Sequence, residues 1–492
     1  MLLGVNTAER MYSYLMHPLT EKTYRNWLVL VGHVSFLILL SYSLFYVRQR
    51  MLHFDTANYV FHVLLHNDFY TPHGREINVL TQVFPLIVYR SGGSFLAFLL
   101  SYSASFVLLG YLIFCLVVHG FRSVLGGIYL VLLLTLTVRY KFYAPVGEVY
   151  QSLAFVGLVA GWLLRPQERW PVPHLVNAGI AAILAIPLLF THPMGFLSFG
   201  AFYLIWLVYS RRFRYWPYSL PFAGAGIYGA YRYLRDDSLT GYEVARLDAI
   251  YEARAFFTNL GDYYVWDRFL WYWNTHYHLI GGLFVVALIL LIVRQKGITA
   301  LLCFLAAATL AGIALLLHSY LDTPIYVMID GYLTHMSVGM GLAILWAFTR
   351  GRTRMGLLVL VLVVGFSLER ISGISGFFSR RERVLTQLAT RYQEEGNSKL
   401  LTHMTDWKWE RLWLPWAVGI ETLMMTTLND PDRPATLYFM RYGQDQSACL
   451  REPTCFLGLH PAPRRFSQEQ LPLYFKALPQ QPYRRTYVKD IY

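Results

Sequence analysis

The sequence predicts an all-α polytopic membrane protein of about 11 transmembrane helices, with two interfacial helices in its first outer loop and a small α+β soluble C-terminal domain. Three observations predict it. Hydrophobic residues make up 56% of the 492 positions and charged residues only 14%, more apolar surface than a water-soluble core can hide. Apolar runs of membrane-crossing length recur along most of the chain. The aromatic share is 17%, with 37 Tyr and 13 Trp, which suits belts at two membrane–water interfaces.

Residues 1–26 are polar and mixed, so no cleavable signal peptide is expected. The first apolar run, Trp27 to Val47, reads as a retained signal anchor. Further spans are expected at 94–118, 123–138, 149–164, 174–191, 194–209, 217–234, 277–293, 298–317, 333–349 and 355–370. With the N-terminus cytoplasmic, the inner loops carry Arg10, Lys22, Arg25, Arg122, Arg165, Arg211, Arg212, Arg294, Lys296, Arg350 and Arg352. The outer loops then hold Asp55, Asp68, Glu76, Glu148, Asp236, Asp237, Asp248, Asp262, Asp267, Asp322 and Asp330. This Lys/Arg asymmetry sets the orientation and accounts for the net charge of +13 without nucleic acid. The chain is expected in the bacterial inner membrane, N-terminus inside and C-terminus periplasmic.

An odd number of spans places 371–492 outside as a soluble domain after a transmembrane domain of 1–370. Helical periodicity runs from Arg383 to Leu401, aromatics cluster from Trp407 to Trp416, and Thr436–Met440 reads as a strand. Cys115 and Cys303 fall within spans. Cys449 and Cys455 lie close together in the tail, either as a disulfide suited to an oxidising compartment or as two small unpaired residues.

Between the first two spans, Arg48 to Gly93 is too long for a connector. Asp55 opens a helical stretch to His66. After Thr71-Pro72-His73-Gly74 a second stretch, Arg75 to Tyr89, places Ile77, Leu80, Phe84 and Ile87 on one side. Each suits a helix lying in the interface plane.

This order, with Phe54-Asp55-Thr56-Ala57-Asn58-Tyr59 just past the first span, resembles the GT-C-type glycosyltransferases. His192-Pro193 at an outer span end and the soluble domain after the last span are similar to that group as well. The resemblance implies a membrane enzyme of cell-envelope glycan biosynthesis. It would move a sugar from a polyprenyl-phosphate donor to a glycan, lipid or protein acceptor at the outer face. Many members carry two adjacent acids here; this chain has Thr56 after Asp55, leaving one carboxylate. One is chemically sufficient, because the leaving group departs as a phosphate and needs no general acid. Asp55 is then the base, with inversion by direct displacement; the alternative is an N-cap of the first interfacial helix. No metal or cofactor is expected, and His276 and His278, two apart on a helix, face different sides.

Donor-phosphate candidates are Arg139 and Lys141, or else residues snorkelling to the interface; His192, or a structural histidine; and Arg75, or a surface ion pair with Glu76. Candidate acceptor or sugar contacts are Glu148, Tyr59, Glu76, Asp262 and Asp267, the last two in an aromatic segment that equally reads as an interfacial belt. Two other function classes compete. A lipid-linked glycan transporter or flippase would place ionisable groups at mid-span. An O-antigen-type polymerase or ligase would use a late outer loop, where Arg246, Arg254 and Arg268 lie. Span interiors largely free of charge, with polar groups at outer span ends, disfavour the first, and the second leaves the early Asp-bearing loop without a role.

Overall fold

The computed structural model describes residues 16–72, 75–146, 148–166, 171–224, 226–227, 253–319, 326–394, 396–403, 417–440, 448–457, 464–465 and 468–486. The expected aromatic patch Trp407–Trp416, the second half of the 217–234 span, and Asp236, Asp237, Arg246, Asp248 and Asp322 lie outside them. The chain forms two compact units: 1–39, 108–141 and 148–372 in the first; 40–107, 142–147 and 373–492 in the second.

Among the described residues, six helices are long and apolar enough to cross a membrane: Glu21–Phe45, Phe95–Gly120, Tyr264–Val293, Gly297–Leu316, Ile329–Thr349 and Arg354–Arg391. Shorter apolar helices are Val124–Thr135, Val149–Leu163, His174–Leu189 and Pro193–Tyr209. The chain is thus a helical membrane protein. In the first unit, Val124–Thr135, Val149–Leu163 and Ser337–Thr349 are buried on nearly every side. His278–Val293 instead exposes Leu279, Val285, Val286, Ile289, Ile292 and Val293, a face that only lipid covers at tolerable cost.

Small residues set the central contacts. A Cβ on Gly126 would stand 2.5 Å from the Gly161 Cα, and one on Gly339 would stand 2.2 Å from the Cys303 carbonyl oxygen. Without a hydrophobic force between helices in lipid, such close backbone approach supplies the van der Waals contact that holds them.

Val124–Thr135 has only 12 residues, about 18 Å of helix against about 30 Å of hydrocarbon. The expected 123–138 span therefore ends early, leaving carbonyls without intrahelical donors. Arg370 satisfies them: its Nη2 donates to Leu136 O at 2.7 Å and to Thr135 O and Val138 O at 3.3 Å. Irregular backbone at membrane depth is tolerated where protein supplies the missing donors.

Helix ends in this unit gather in two sets, as alternating crossings require. At one end, Thr137 Oγ1 donates to Thr334 O (2.7 Å), Tyr277 Oη to Thr137 O (3.1 Å), and the His192 and Tyr332 rings meet. At the other, Leu19 N donates to Arg352 O (3.0 Å), Arg294 to Ala347 O (2.6 Å) and Trp206 to Leu163 O (3.2 Å).

In the second unit the Phe54–His66 helix and the 3₁₀ turn Glu76–Asn78 running into Val79–Arg90 form where the first outer loop is expected to fold. Gln82 clasps the turn between them, its amide donating to Tyr70 O and accepting from Tyr70 N, both at 2.8 Å. Val79–Arg90 turns Thr81 and Gln82 inward and leaves Leu80, Val83, Phe84 and Ile87 exposed. That inverted amphipathicity fits a helix with its apolar face in the acyl boundary. Phe54–His66 departs from expectation, for Thr56 to Leu64 are all buried. It is a core element, packed through Val60, Phe61 and Leu64 among Leu423, Met424, Phe456 and Phe475.

The C-terminal residues build a three-stranded parallel sheet, Thr436–Met440 beside Lys399–His403 beside Arg484–Thr486. Parallel neighbours require a crossover, and Val418–Asn429 provides the helix of one. The helix expected over Arg383–Leu401 stops at Glu394. Gly396 takes φ +80°, which breaks the helix, and Leu400 and Leu401 join the strand instead. Cys449 and Cys455 form a disulfide. Arg50, fully buried, donates to Ser103 Oγ (2.8 Å) and Phe142 O (2.5 Å) and lies 3.9 Å from the Phe142 ring centroid, joining three segments of this unit.

Candidate functional site

Two clusters of polar residues stand out, one in each unit.

In the second unit, Asp55 is exposed while every other residue from Arg50 to Leu64 is buried. The helix cap is His53, and Asp55 sits in the first turn. What presents Asp55 is a strained turn. Phe54 has φ +53°, an outlier for a bulky residue that costs about 1–3 kcal/mol unless its surroundings hold it. Glu421 does so by accepting the Phe54 N–H at 2.5 Å. Its carboxylate pairs with Arg381 at 2.5 Å, the two side chains 0% and 1% exposed. Arg381 donates to His53 Nδ1 (2.7 Å) and lies 4.4 Å from the Phe54 ring centroid.

Burial raises the Glu421 carboxyl above its usual range; the Arg381 charge and the Phe54 N–H pull the other way, and the Asp55 charge adds to the rise. Burial, then Arg381 and Arg48, hold His53 well below the usual histidine value, so its ring is neutral and can accept from Arg381. A second ion pair, Arg48 with Glu382, and a Gln49–Glu382 bond (2.9 Å) tie the end of the first long helix to the same segment.

Tyr59 is buried with its ring 5.2 Å from that of Tyr70. Glu76 is exposed and Arg75 half-buried, both at the start of the second loop helix.

In the first unit, Arg139, Lys141 and His192 come together around residues 330–335. Arg139 is 6% exposed, and among the described residues its Nη1 has no hydrogen-bond partner. Its guanidinium lies 5.0 Å from the Tyr140 ring centroid and 5.9 Å from that of Tyr272. Lys141 is buried beside Gly331, near His335. His192 accepts from Met194 N (3.2 Å) through Nδ1 and bonds Tyr332 Oη (2.9 Å) through Nε2. Asp330, fully buried, accepts from Tyr277 Oη (2.7 Å) and Tyr140 N (2.9 Å), with Arg139 and Arg370 supplying positive charge around it. Glu148 is fully buried with φ +34°, at the head of Val149–Leu163.

Asp262 and Asp267 are exposed, while Tyr272 and Tyr277 of the same segment join the buried cluster. The aromatic half of that segment thus reaches the cluster and the carboxylate half does not. Sequence reasoning passed over Asp330 and Arg370 as site residues, although an acid in Val327-Met328-Ile329-Asp330 and an arginine ending an apolar run are costly enough in a membrane to be a signal. Nothing in the sequence pairs Glu421 with residue 54.

Chemically, the first cluster offers one accessible carboxylate on a rigid mount. The second offers a partly unsatisfied guanidinium with an ammonium nearby, a donor set for phosphate oxygens. No group of three or more His, Cys, Asp or Glu among the described residues is arranged to hold a metal. No family model, curated protein or solved structure matches the chain.

Proposed function

We propose that the protein is an integral membrane glycosyltransferase of GT-C type, acting at the outer face of the bacterial inner membrane with its N-terminus cytoplasmic. It transfers a sugar from a polyprenyl-phosphate donor to a glycan, lipid or protein acceptor. Asp55 takes the proton from the acceptor hydroxyl as the hydroxyl oxygen attacks the anomeric carbon. The bond to phosphate breaks on the opposite side, inverting the centre, and the leaving phosphate carries the electron pair. The resemblance to the GT-C group assigns the neutralising of that phosphate to Arg139 and Lys141. The chemistry needs no cofactor.

The observation that carries this reading is the presentation of Asp55: one exposed carboxylate on an otherwise buried segment, fixed by a strained residue and a buried ion pair. Strain of this kind persists where the surroundings over-determine it, typically at functional sites. The transporter reading draws on Asp330 and Arg370, buried ionisable groups inside the bundle, but leaves the mounting of Asp55 without purpose.

Purified protein in liposomes containing a polyprenyl-phosphate sugar separates the two. Transfer releases free polyprenyl phosphate and a glycosylated acceptor. Transport moves the lipid-linked sugar between leaflets with the phosphate linkage intact, and that result would replace the enzymatic reading.

A further inference from the structure

A cavity of about 700 Å³ opens between the start of the Glu21–Phe45 helix and the 118–124 turn, and none of its lining residues belongs to either cluster above. Its polar lining carries Lys22, Arg25, His33 and His119, and its apolar lining includes Val29 and Leu30. One acid, Glu21, lines it too, engaged with Arg25 at 3.9 Å and Arg352 at 3.3 Å. The His33 and His119 rings stack 5.7 Å apart across the groove, and Tyr111 Oη bonds His33 Nδ1 at 3.1 Å. Along the first helix the cations come first and the apolar residues about one turn deeper. That is the profile of a headgroup level passing into hydrocarbon.

We propose that this groove binds one anionic phospholipid of the leaflet it faces. The headgroup phosphate sits against Lys22 and Arg25, and an acyl chain runs along Val29 and Leu30 toward the deeper histidine pair. Basic pockets between membrane helices on the cytoplasmic side recognise anionic headgroups by this combination, and the volume falls in the range of ligand sites. The proposal rests on membrane crossing and on the orientation set by the basic loops; it is independent of sugar transfer.

The test compares dioleoylphosphatidylglycerol, dioleoylphosphatidylcholine and inorganic phosphate added to delipidated protein in neutral detergent, read by native mass spectrometry and thermal unfolding. Phosphatidylglycerol is expected to be retained and to raise the melting temperature, with no comparable effect from phosphatidylcholine or phosphate. Lys22→Gln with Arg25→Gln should weaken retention about thirtyfold, from two headgroup-level charges. Lys22→Gln alone, at an exposed position, gives a second and milder variant should the double one fail to fold. Equal retention of both lipids, an equal shift with phosphate alone, or retention unchanged in the variants that fold overturns the proposal. Activity is not read, so its presence or absence leaves the result intact.

Discussion

Glu421→Ala removes the partner of a guanidinium that is 1% exposed and the acceptor of the Phe54 N–H at the same time. Breaking one side of a buried ion pair costs about 3–5 kcal/mol, because the other charge is left unpaired in low dielectric. Part of that comes back as Phe54, at φ +53°, relaxes out of the left-handed region. A net loss of about 3 kcal/mol raises local opening on the order of a hundredfold. Hydrogen exchange of the peptide covering residues 50–64 reads it directly, without an activity assay. Glu421→Gln keeps an acceptor for Phe54 and should open less. Arg381→Met strands the carboxylate, and the double variant Glu421→Gln with Arg381→Met should recover much of the loss, since replacing both charges removes the desolvation penalty of each. Unchanged exchange in Glu421→Ala, or a double variant as damaged as the sum of the singles, would refute the clamp.

His53 gives a pH dependence. Its ring is held neutral, so below the usual value near 6.5 an opened or unfolded chain binds a proton that the folded one refuses. Stability should therefore fall as pH drops from about 6.5 toward the depressed folded value, by at most about 1.4 kcal/mol per pH unit. The groups around the ring are Arg381, Arg48 and, through Arg381, Glu421. His53→Gln should flatten a melting series taken from pH 8 to 5, and an unaltered slope would remove His53 as the cause. A nitroxide on Phe84→Cys or Ile87→Cys should be reached by oxygen in preference to a water-soluble nickel chelate in liposomes; the reverse preference would take the Val79–Arg90 face out of the membrane. Arg139→Gln should raise KM for the lipid-linked donor about tenfold to a hundredfold, the worth of a charge-assisted bond, and lower the melting temperature as well, since it removes positive charge from beside buried Asp330; an unaltered KM would leave Arg139 a structural residue.

The membrane class was legible in the sequence because apolar run length is a one-dimensional property. The break after Thr135 was not: an apolar run does not reveal where its hydrogen bonding stops, and the group that makes the stop tolerable, Arg370, lies more than two hundred residues away. The second loop helix was legible in part through its spacing: Leu80, Phe84 and Ile87 share an exposed face, while Ile77, expected on the same side, is buried. The first was misjudged, since a helix covered on all sides by Leu423, Met424 and Phe475 shows the same periodicity as one lying on lipid. Asp55 could be singled out by position alone. Its mounting could not, for it depends on a crossover helix that returns Glu421 to residue 54 after 366 intervening residues. Arg139, Lys141 and His192 stand out in the sequence as polar groups at outer span ends, and tertiary packing brings all three to the 330–335 stretch; Tyr59, which the family resemblance singles out, packs beside Tyr70.

The most direct measurement is turnover of Asp55→Asn beside the unaltered protein, with polyprenyl-phosphate sugar as donor and melting temperature recorded for both. Position 55 is exposed, so the substitution should leave folding intact while transfer falls by about a hundredfold to ten-thousandfold, the range expected for a lost general base. Full turnover in a folded Asp55→Asn protein would contradict the assignment of that carboxylate as the base.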